Sequence, residues 1–307
     1  MSAAPTVICL TTIPPRFGVI GQTLETLLAQ DLPAEEIRLH IPRRYRRFPD
    51  WDGRLPDLPR GIRILRCDED FGPATKLLPA VAELSGQDVE LLFCDDDSLY
   101  APGWHRTFRT ERDAHPDACI AGAAQHLPGL AQVARSPDRM PRMRRWTRPE
   151  LAALPVLPHP LPAVRESGYA DLLEGWGGAM LRPDFLDPRV FDLPPVLWTV
   201  DDPWISAHLE LRGVRIWCSA AIPTPERRHD VGAIAGLVGA VIEGHDRDAA
   251  DLACIRHCRR HLGIWQQRPP LATRGVLAVR QALRRAIPRA QRHRLVIAWA
   301  RLRGWPV

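Results

Sequence analysis

The sequence is almost without lysine. Of its 41 basic residues, 40 are arginine and one is Lys76. A composition rich in Ala, Arg, Pro and Gly indicates that arginine is used wherever either cation will serve. Two explanations for the single lysine remain open. Either Lys76 needs a compact ammonium that a planar guanidinium cannot replace, or one surface lysine survived by chance.

Long hydrophobic runs are also lacking. The longest uncharged apolar segment, 231–242, has 12 residues, whereas a helix that spans a bilayer needs about 20. The chain begins without a charged-then-apolar leader, so we expect a cytoplasmic protein. Its seven cysteines, an odd number within apolar runs, predict reduced and mostly buried thiols rather than a disulfide framework.

The C-terminal segment lacks acids altogether. From Arg268 onwards it carries ten arginines, so this tail is +10 while the whole chain is +5 and the remaining body is −5. An acidic body without basic–aromatic interleaving argues against a nucleic-acid-binding protein. Residues 266–307 predict a basic amphipathic helical tail. It either lies on an anionic membrane surface, which would place the protein at the inner face of the membrane, or packs on the main domain with its arginines in water.

Strand and helix patterns alternate through the first half of the chain. Strands are predicted at 7–12, 37–41, 62–66, 89–94, 118–124 and 214–219, with amphipathic helices between most of them. This alternation predicts an α/β fold with a mainly parallel sheet. Segment 127–165 has eight prolines and is interpreted as a lid between a first half, about 1–126, and a second half, 166–265. It contains an arginine cluster that either meets phosphate or is solvated: Arg142, Arg144, Arg145 and Arg148.

Polar residues follow several predicted strands. The stretch LLFCDDDS runs from a buried strand into Asp95, Asp96 and Asp97, and Thr11, Thr12 and Asp68 follow two other strands. Ligands of parallel sheets bind outside the carboxyl ends of the strands. A D-x-D pair in such a place suits a hard cation, Mg²⁺ or Mn²⁺. The alternative is that the acids are solvated or cap a helix.

Four stretches in order and spacing, VICLTTIPPR, DFGPATKLLPA, LLFCDDDSLY and DDPWISAHL, resemble nucleotide-sugar-dependent glycosyltransferases of the GT-A (Rossmann-like) fold. The resemblance covers about residues 5–265 and is greatest to family-2-like enzymes of bacterial surface polysaccharide assembly. It implies that one set of residues binds the donor and its nucleotide: Thr11, Thr12, Arg16, Asp68, Lys76, Asp95 and Asp96. It further implies that Asp97, Asp95 and His229 hold Mn²⁺ or Mg²⁺, although His229 also fits a solvated loop.

The resemblance also implies a catalytic pair, Asp201 and Asp202, in which the second acid is the base of inverting members. This chain has DD where ED is commoner, and Asp202 also fits the start of a helix. The loop with Trp176, Gly177 and Gly178 would lie on the acceptor side, or else form a tight turn with a core tryptophan.

These features predict metal-dependent transfer of a sugar from a nucleoside-diphosphate sugar, with UDP-sugars favoured, to a hydroxyl of a glycan or lipid-linked acceptor. Two alternatives remain open: a metal-dependent nucleotidyltransferase, and a non-catalytic protein that binds sugar nucleotides or polysaccharide. A haloacid-dehalogenase-like phosphatase fits poorly, because its D-x-D lies on the first strand and continues to Thr or Val, where this chain has Leu99. A further cluster lies on one predicted helix and consists of Cys254, His257, Cys258 and His261. Four side chains of one helix rarely surround a zinc ion tetrahedrally, so these residues make a poor zinc site.

Overall fold

The computed structural model describes residues 4–127, 142–147, 150–151, 161–237, 242 and 246–266. Its strands are β1 Thr6–Thr11, β2 Glu36–Pro42, β3 Ile62–Cys67, β4 Glu90–Phe93, β5 Ser98–Leu99, β6 Ala118–Ala121, β7 Ala124–Gln125, β8 Gly168–Ala170, β9 Leu172–Leu173, β10 Ala179–Leu181, β11 Arg215–Cys218 and β12 Glu226–Arg227. Its α-helices are α1 Gly21–Leu28, α2 Leu78–Glu83, α3 Trp104–Ala114, α4 Asp202–Leu211, α5 His229–Ala233 and α6 Arg247–His257.

Eight of these strands form one sheet in the order β3-β2-β1-β4-β10-β6-β11-β8. The pairs β1–β2, β2–β3, β1–β4 and β6–β11 are parallel, and the three pairs that involve β10 or β8 are antiparallel. Helices flank the sheet. The predicted α/β fold with a mainly parallel sheet is therefore confirmed.

The sheet is buried on both faces, as its apolar runs require. Alternate residues of β1 belong to different apolar clusters, with Val7 and Cys9 on one side of the sheet and Ile8 and Leu10 on the other. The residues of β4 alternate in the same way. Because each face is covered, ligands have access to these central strands at their ends.

The strand order reverses next to β1. The chain runs outward from β1 through β2 to β3, and then returns so that β4 pairs with the other side of β1. A crevice opens between the carboxyl ends of two strands at such a switch point. Thr11 and Thr12 end β1 there, and Asp95 to Asp97 follow β4.

The short antiparallel strand β10 was not predicted. It lies between β4 and β6 and is entered through Gly178, whose φ is +84°. A Cβ at Gly178 would lie 2.3 Å from the Trp104 ring, so this position needs glycine for both its backbone conformation and its packing.

All seven cysteines are free, six of them buried and Cys67 half-buried, which confirms the prediction of unpaired thiols. Within the described residues, none of the helices has the length and hydropathy of a membrane span. The predicted tail falls almost wholly outside the described residues, since 267–307 are not among them. Most of the predicted lid, including Arg148, also lies outside them.

Candidate functional site

A cavity of about 600 Å³ lies at the switch point, a volume in the usual range for small-molecule sites. Most of the residues singled out from the sequence line it, although they come from distant parts of the chain. They are Thr11, Thr12, Arg16, Lys76, Asp95, Asp96, Asp97, Trp176, Asp201, Asp202 and His229.

Asp68 is not among the lining residues. Its side chain is 93% exposed and pairs with Arg43 at 2.7 Å. Asp70, two residues further on, lines the cavity instead and accepts hydrogen bonds from the backbone N–H groups of Arg46 and Gly72. Burial raises the pKa of Asp70. The acid expected after β3 is therefore present, but the turn displaces it by two residues.

Gly177 and Gly178 also lie away from the cavity wall. A Cβ at Gly177 would lie 2.6 Å from the backbone nitrogen of Ala123, and Gly178 packs against Trp104 as described above. These two glycines serve the close packing of their turn on neighbouring strands. Trp176, which precedes them, does line the cavity, and the Arg227 guanidinium lies over its ring at 5.4 Å.

Asp96 fastens the loop after β4 to the loop after β1. Its carboxylate accepts hydrogen bonds from Thr12 Oγ1 and from the Arg16 guanidinium, and its carbonyl accepts one from Thr23 Oγ1. Burial raises its pKa, while the charge of Arg16 lowers it. The middle acid of the three thus shapes the floor of the site.

Asp97 is held differently. Its Oδ1 atom is buried and has no hydrogen-bond partner among the described residues, and the nearest cation to its Oδ2 is Arg16 Nη1 at 3.8 Å. Burial raises the pKa of Asp97 to about 6, and the charges of Asp95 and Asp96 add to the effect. A buried carboxylate oxygen normally has a hydrogen-bond donor or a cation as its partner, and Asp97 Oδ1 has none among the described residues.

Lys76 connects the two halves of the site. Its Nζ lies 2.6 Å from Asp95 Oδ1 and 2.8 Å from Asp201 Oδ2, and its side chain is 5% exposed. Burial alone would lower the pKa of Lys76, but the charges of Asp201, Asp95 and Asp202 raise it well above its usual value. The ammonium therefore stays charged and compensates carboxylates from both halves.

Asp202 is the first residue of α4, and Asp201 precedes the helix without capping it through its side chain. Asp202 Oδ1 accepts a hydrogen bond from the backbone N–H of Gly175 at 2.9 Å. This bond aims the carboxylate at the Glu174–Gly175 turn and the cavity rather than along its own helix. The sequence alternative of a capping role is thus not what the side chain does in the structure.

One wall of the cavity comes from seven residues between Arg227 and Leu237, of which the sequence pointed only to His229. Strand β12 pairs with β5 directly after the three acids, and Arg228 N–H donates to the Asp97 carbonyl. Arg16 donates to the carbonyls of Ile234 and Gly232. This pairing brings Arg227 and His229 to the acids, although nothing in the local sequence indicates a two-residue strand.

Aromatic residues from two loops complete the wall on the other side. Tyr45 and Phe48 follow β2, and the Tyr45 hydroxyl donates to the Thr12 carbonyl at 2.8 Å. Trp198 donates from Nε1 to the Asp70 carbonyl at 2.6 Å. The signal for Tyr45 and Phe48 was present, because β2 runs parallel to β1 and ends at the same edge of the sheet.

Two described arginines of the predicted lid, Arg144 and Arg145, pair with acids. Arg144 contacts Glu150 and Glu166, and Arg145 lies 3.6 Å from Glu174 of the cavity wall. Among the described residues, no three His, Cys, Asp or Glu side chains have the arrangement of a complete metal site. This holds for the cluster of Cys254, His257, Cys258 and His261 and for the three acids alike.

No protein-family model matches the sequence, and no curated protein matches it. Solved structures show a distant likeness. S. aureus TarS in complex with UDP-GlcNAc is 13% identical with a TM-score of 0.41, over 85% of this chain and 73% of that one. GalNAc-T7 with UDP, GalNAc and Mn²⁺ is 12% identical with a TM-score of 0.44, over 71% of this chain and 43% of that one. Likenesses of this size carry no argument about chemistry, which has to come from the site itself.

Proposed function

We propose that the protein is a metal-dependent glycosyltransferase that moves a sugar from a nucleoside-diphosphate sugar to a hydroxyl group. The observation that carries the proposal is that two acids with different surroundings line the same cavity. Asp97, after β4, has a buried oxygen with no partner in the part of the chain that the structure describes, and Asp202, at the start of α4, presents a carboxylate held by Gly175 N–H. Asp97 is suited to binding a cation, and Asp202 is suited to accepting a proton.

The charges of the cavity wall support the requirement for a cation. Among the described residues, eight carboxylates line the cavity (Asp70, Asp95, Asp96, Asp97, Glu174, Asp201, Asp202 and Asp251), against four side chains of Lys or Arg (Arg16, Arg47, Lys76 and Arg227). Arg16 and Lys76 already pair with acids of the wall. A diphosphate would therefore meet net negative charge unless a divalent cation entered with it.

The residues present fit such a cation. Asp97, with Asp95 or His229 beside it, would supply part of an oxygen-rich coordination sphere, and phosphate oxygens and water would supply the rest, as is usual for Mg²⁺. When bound, the cation would stabilise the charge that develops on the departing diphosphate. Arg227, which is exposed at the cavity beside Asp97, is placed to add a second positive charge there.

Asp202 has the role of general base in this proposal. The acceptor oxygen forms a bond to the anomeric carbon while the bond from that carbon to the diphosphate oxygen breaks, and the nucleoside diphosphate leaves with the electron pair. The hydroxyl proton passes to the Asp202 carboxylate. Attack from the side opposite the leaving group would invert the anomeric centre.

A turnover experiment tests the proposal. We expect a nucleoside-diphosphate sugar, a UDP-sugar first among those screened, to raise the thermal unfolding midpoint only when Mn²⁺ or Mg²⁺ is present. Slow hydrolysis of the same compound should release a nucleoside diphosphate. Release of a nucleoside monophosphate together with a sugar 1-phosphate would indicate attack at phosphorus, as in a nucleotidyltransferase, and stabilisation without any turnover would indicate a binding protein.

The acceptor is proposed to be a hydroxyl of a glycan or of a lipid-linked molecule. The pattern of residues 267–307 supports a place beside an anionic membrane surface at the cytoplasmic side, where ten arginines between Arg268 and the C-terminus would each contribute about 1 kcal/mol at most.

Metal binding should weaken as the pH falls through about 6. Burial and the neighbouring charges raise the pKa of Asp97 to about 6, so below that pH a proton occupies the oxygens that the cation needs. The apparent affinity for Mn²⁺ should then fall by up to about tenfold per pH unit, and it should be constant above pH 7. Calorimetric titration with Mn²⁺ and a nucleotide sugar between pH 5 and 8 measures this, and an unchanged affinity from pH 5 to 7 would contradict it.

A further inference from the structure

The only lysine of the chain lies inside a cluster of acids rather than at the surface. Lys76 Nζ contacts Asp95 Oδ1 at 2.6 Å and Asp201 Oδ2 at 2.8 Å, and it lies 5.7 Å from the centre of the Phe93 ring. The two acids come from opposite halves of the site. Asp95 follows β4, and Asp201 directly precedes α4.

Lys76 lines the cavity, but its ammonium is enclosed by the acids that it contacts. Its side chain is 5% exposed and the Asp201 side chain 3%, so this side of the cluster is closed to solvent. A charged hydrogen bond to Asp95 and an ion pair with Asp201 hold the ammonium between the carboxylates. A group in this position acts on a substrate through the acids that it holds.

Gly175 shows how little room there is around the ammonium. A Cβ at this position would lie 2.7 Å from Lys76 Nζ and 3.0 Å from Asp202 Oδ1. The same backbone turn thus touches Lys76 on one side and, through its N–H, binds Asp202 on the other. A planar guanidinium with five donors is bulkier than an ammonium and has no space in this corner.

We propose that Lys76 is a positioning residue that fixes Asp201 against Asp95 and so sets where the neighbouring Asp202 stands relative to the acids of the diphosphate side. This inference rests on the proposed function. It departs from the direct donor contact that the family resemblance implies for Lys76. It also explains why lysine persists at this one place in a chain that otherwise uses arginine.

Kinetics of two Lys76 variants test the proposal. In Lys76→Met and in Lys76→Arg, kcat should fall by about 100-fold or more, because a displacement of about 1 Å at a catalytic group has that effect. The donor KM should stay within about threefold, since the interactions with donor are retained. A donor KM that rises while kcat is kept would make Lys76 a donor ligand and overturn the proposal, as would kcat within threefold of the wild type.

A matched variant separates positioning from general destabilisation. Arg112 forms an equally buried ion pair with Glu90 at the amino end of β4, with side chains 3% and 1% exposed, far from the cavity. Arg112→Met should lower the unfolding midpoint at least as much as Lys76→Met and leave kcat unchanged. Equal losses of kcat in both variants would show that Lys76 matters only for stability.

The single lysine permits a second measurement that needs no turnover. Protein labelled with ¹⁵N-lysine, without a lysine in any tag, should give one side-chain ammonium signal with slow proton exchange. Asp201→Asn should shift it or broaden it, and saturation with a nucleotide sugar and Mn²⁺ should leave it in place. If the wild type proves inactive, the proposed function fails by itself. A signal that is unchanged in Asp201→Asn, or that shifts mainly on donor binding, would contradict the proposed positioning role of Lys76.

Discussion

Replacing Asp97 by alanine is expected to abolish Mn²⁺-dependent binding of a nucleotide sugar while the fold remains intact. The affinity should fall by more than about 100-fold, equivalent to about 2.7 kcal/mol. Asp97 contributes a buried oxygen that has no partner in the described residues, so its removal costs no hydrogen bond from that atom. Because burial and like charges raise its pKa, its ionised form opposes folding at neutral pH, and the variant should unfold at the same or a higher temperature.

Calorimetric titration with donor, with and without Mn²⁺, measures the effect at pH 7.5, and thermal unfolding checks the fold. Asp230→Asn is the matched control. Its carboxylate lies in the first turn of α5, is 72% exposed and pairs with Arg228, so it is near the site but outside the cavity wall. The control should keep full affinity. Unchanged Mn²⁺-dependent binding in Asp97→Ala would remove Asp97 from any metal site.

The sequence was sufficient for the part of the fold in which local pattern and tertiary structure agree. The apolar runs at β1 and β4 and the alternating runs at β2 and β3 have the length and composition of strands, and each lies where it was expected. Parallel strands end at one edge, so the acids after β4 and the threonines after β1 had to meet. The position of the site follows from these two strand ends alone.

Elements of two or three residues could not be predicted in this way. The strand β10 is only Ala179–Leu181, and β12 is only Glu226–Arg227. Their conformation is decided by partners far along the chain, β4 and β6 in one case and β5 in the other. The Gly177–Gly178 pair was interpreted as an acceptor loop or a tight turn, and the structure shows backbone packing that requires glycine.

The directions in which the acidic side chains point also could not be predicted from the sequence. Three consecutive acids look equivalent in the sequence, yet Asp96 is bound by Thr12 and Arg16, Asp95 by Lys76, and one oxygen of Asp97 has no partner among the described residues. These partners come from two other segments, the loop after β1 and the turn that precedes α2. In the same way, the turn after β3 exposes Asp68 and turns Asp70 into the cavity, a difference of two residues that no pattern resolves.

Asp202→Asn is expected to lower kcat by about 10²- to 10⁴-fold, the contribution typical of a general base, with donor affinity within about threefold. Asparagine has the size of aspartate, and its carbonyl oxygen can still accept the hydrogen bond from Gly175 N–H, which now measures 2.9 Å. The first turn of α4 is preserved as well. What the variant loses is the ability to take a proton from the acceptor hydroxyl.

If Asp202 served only to start its helix, its replacement would lower stability and leave kcat unchanged. Asp246, which does cap a helix, is the residue for comparison. The Asp246 side chain caps α6 by accepting from Ala249 N–H at 2.8 Å, so Asp246→Ala should cost about 1 kcal/mol of stability and leave kcat unchanged. Asp202→Ala should show the reverse, a large loss of kcat with a small change in the unfolding midpoint, because Asp202 does not cap its helix through its side chain. If Asp202→Ala instead behaves like Asp246→Ala, with stability lowered and turnover kept, the base must be sought elsewhere in the cavity.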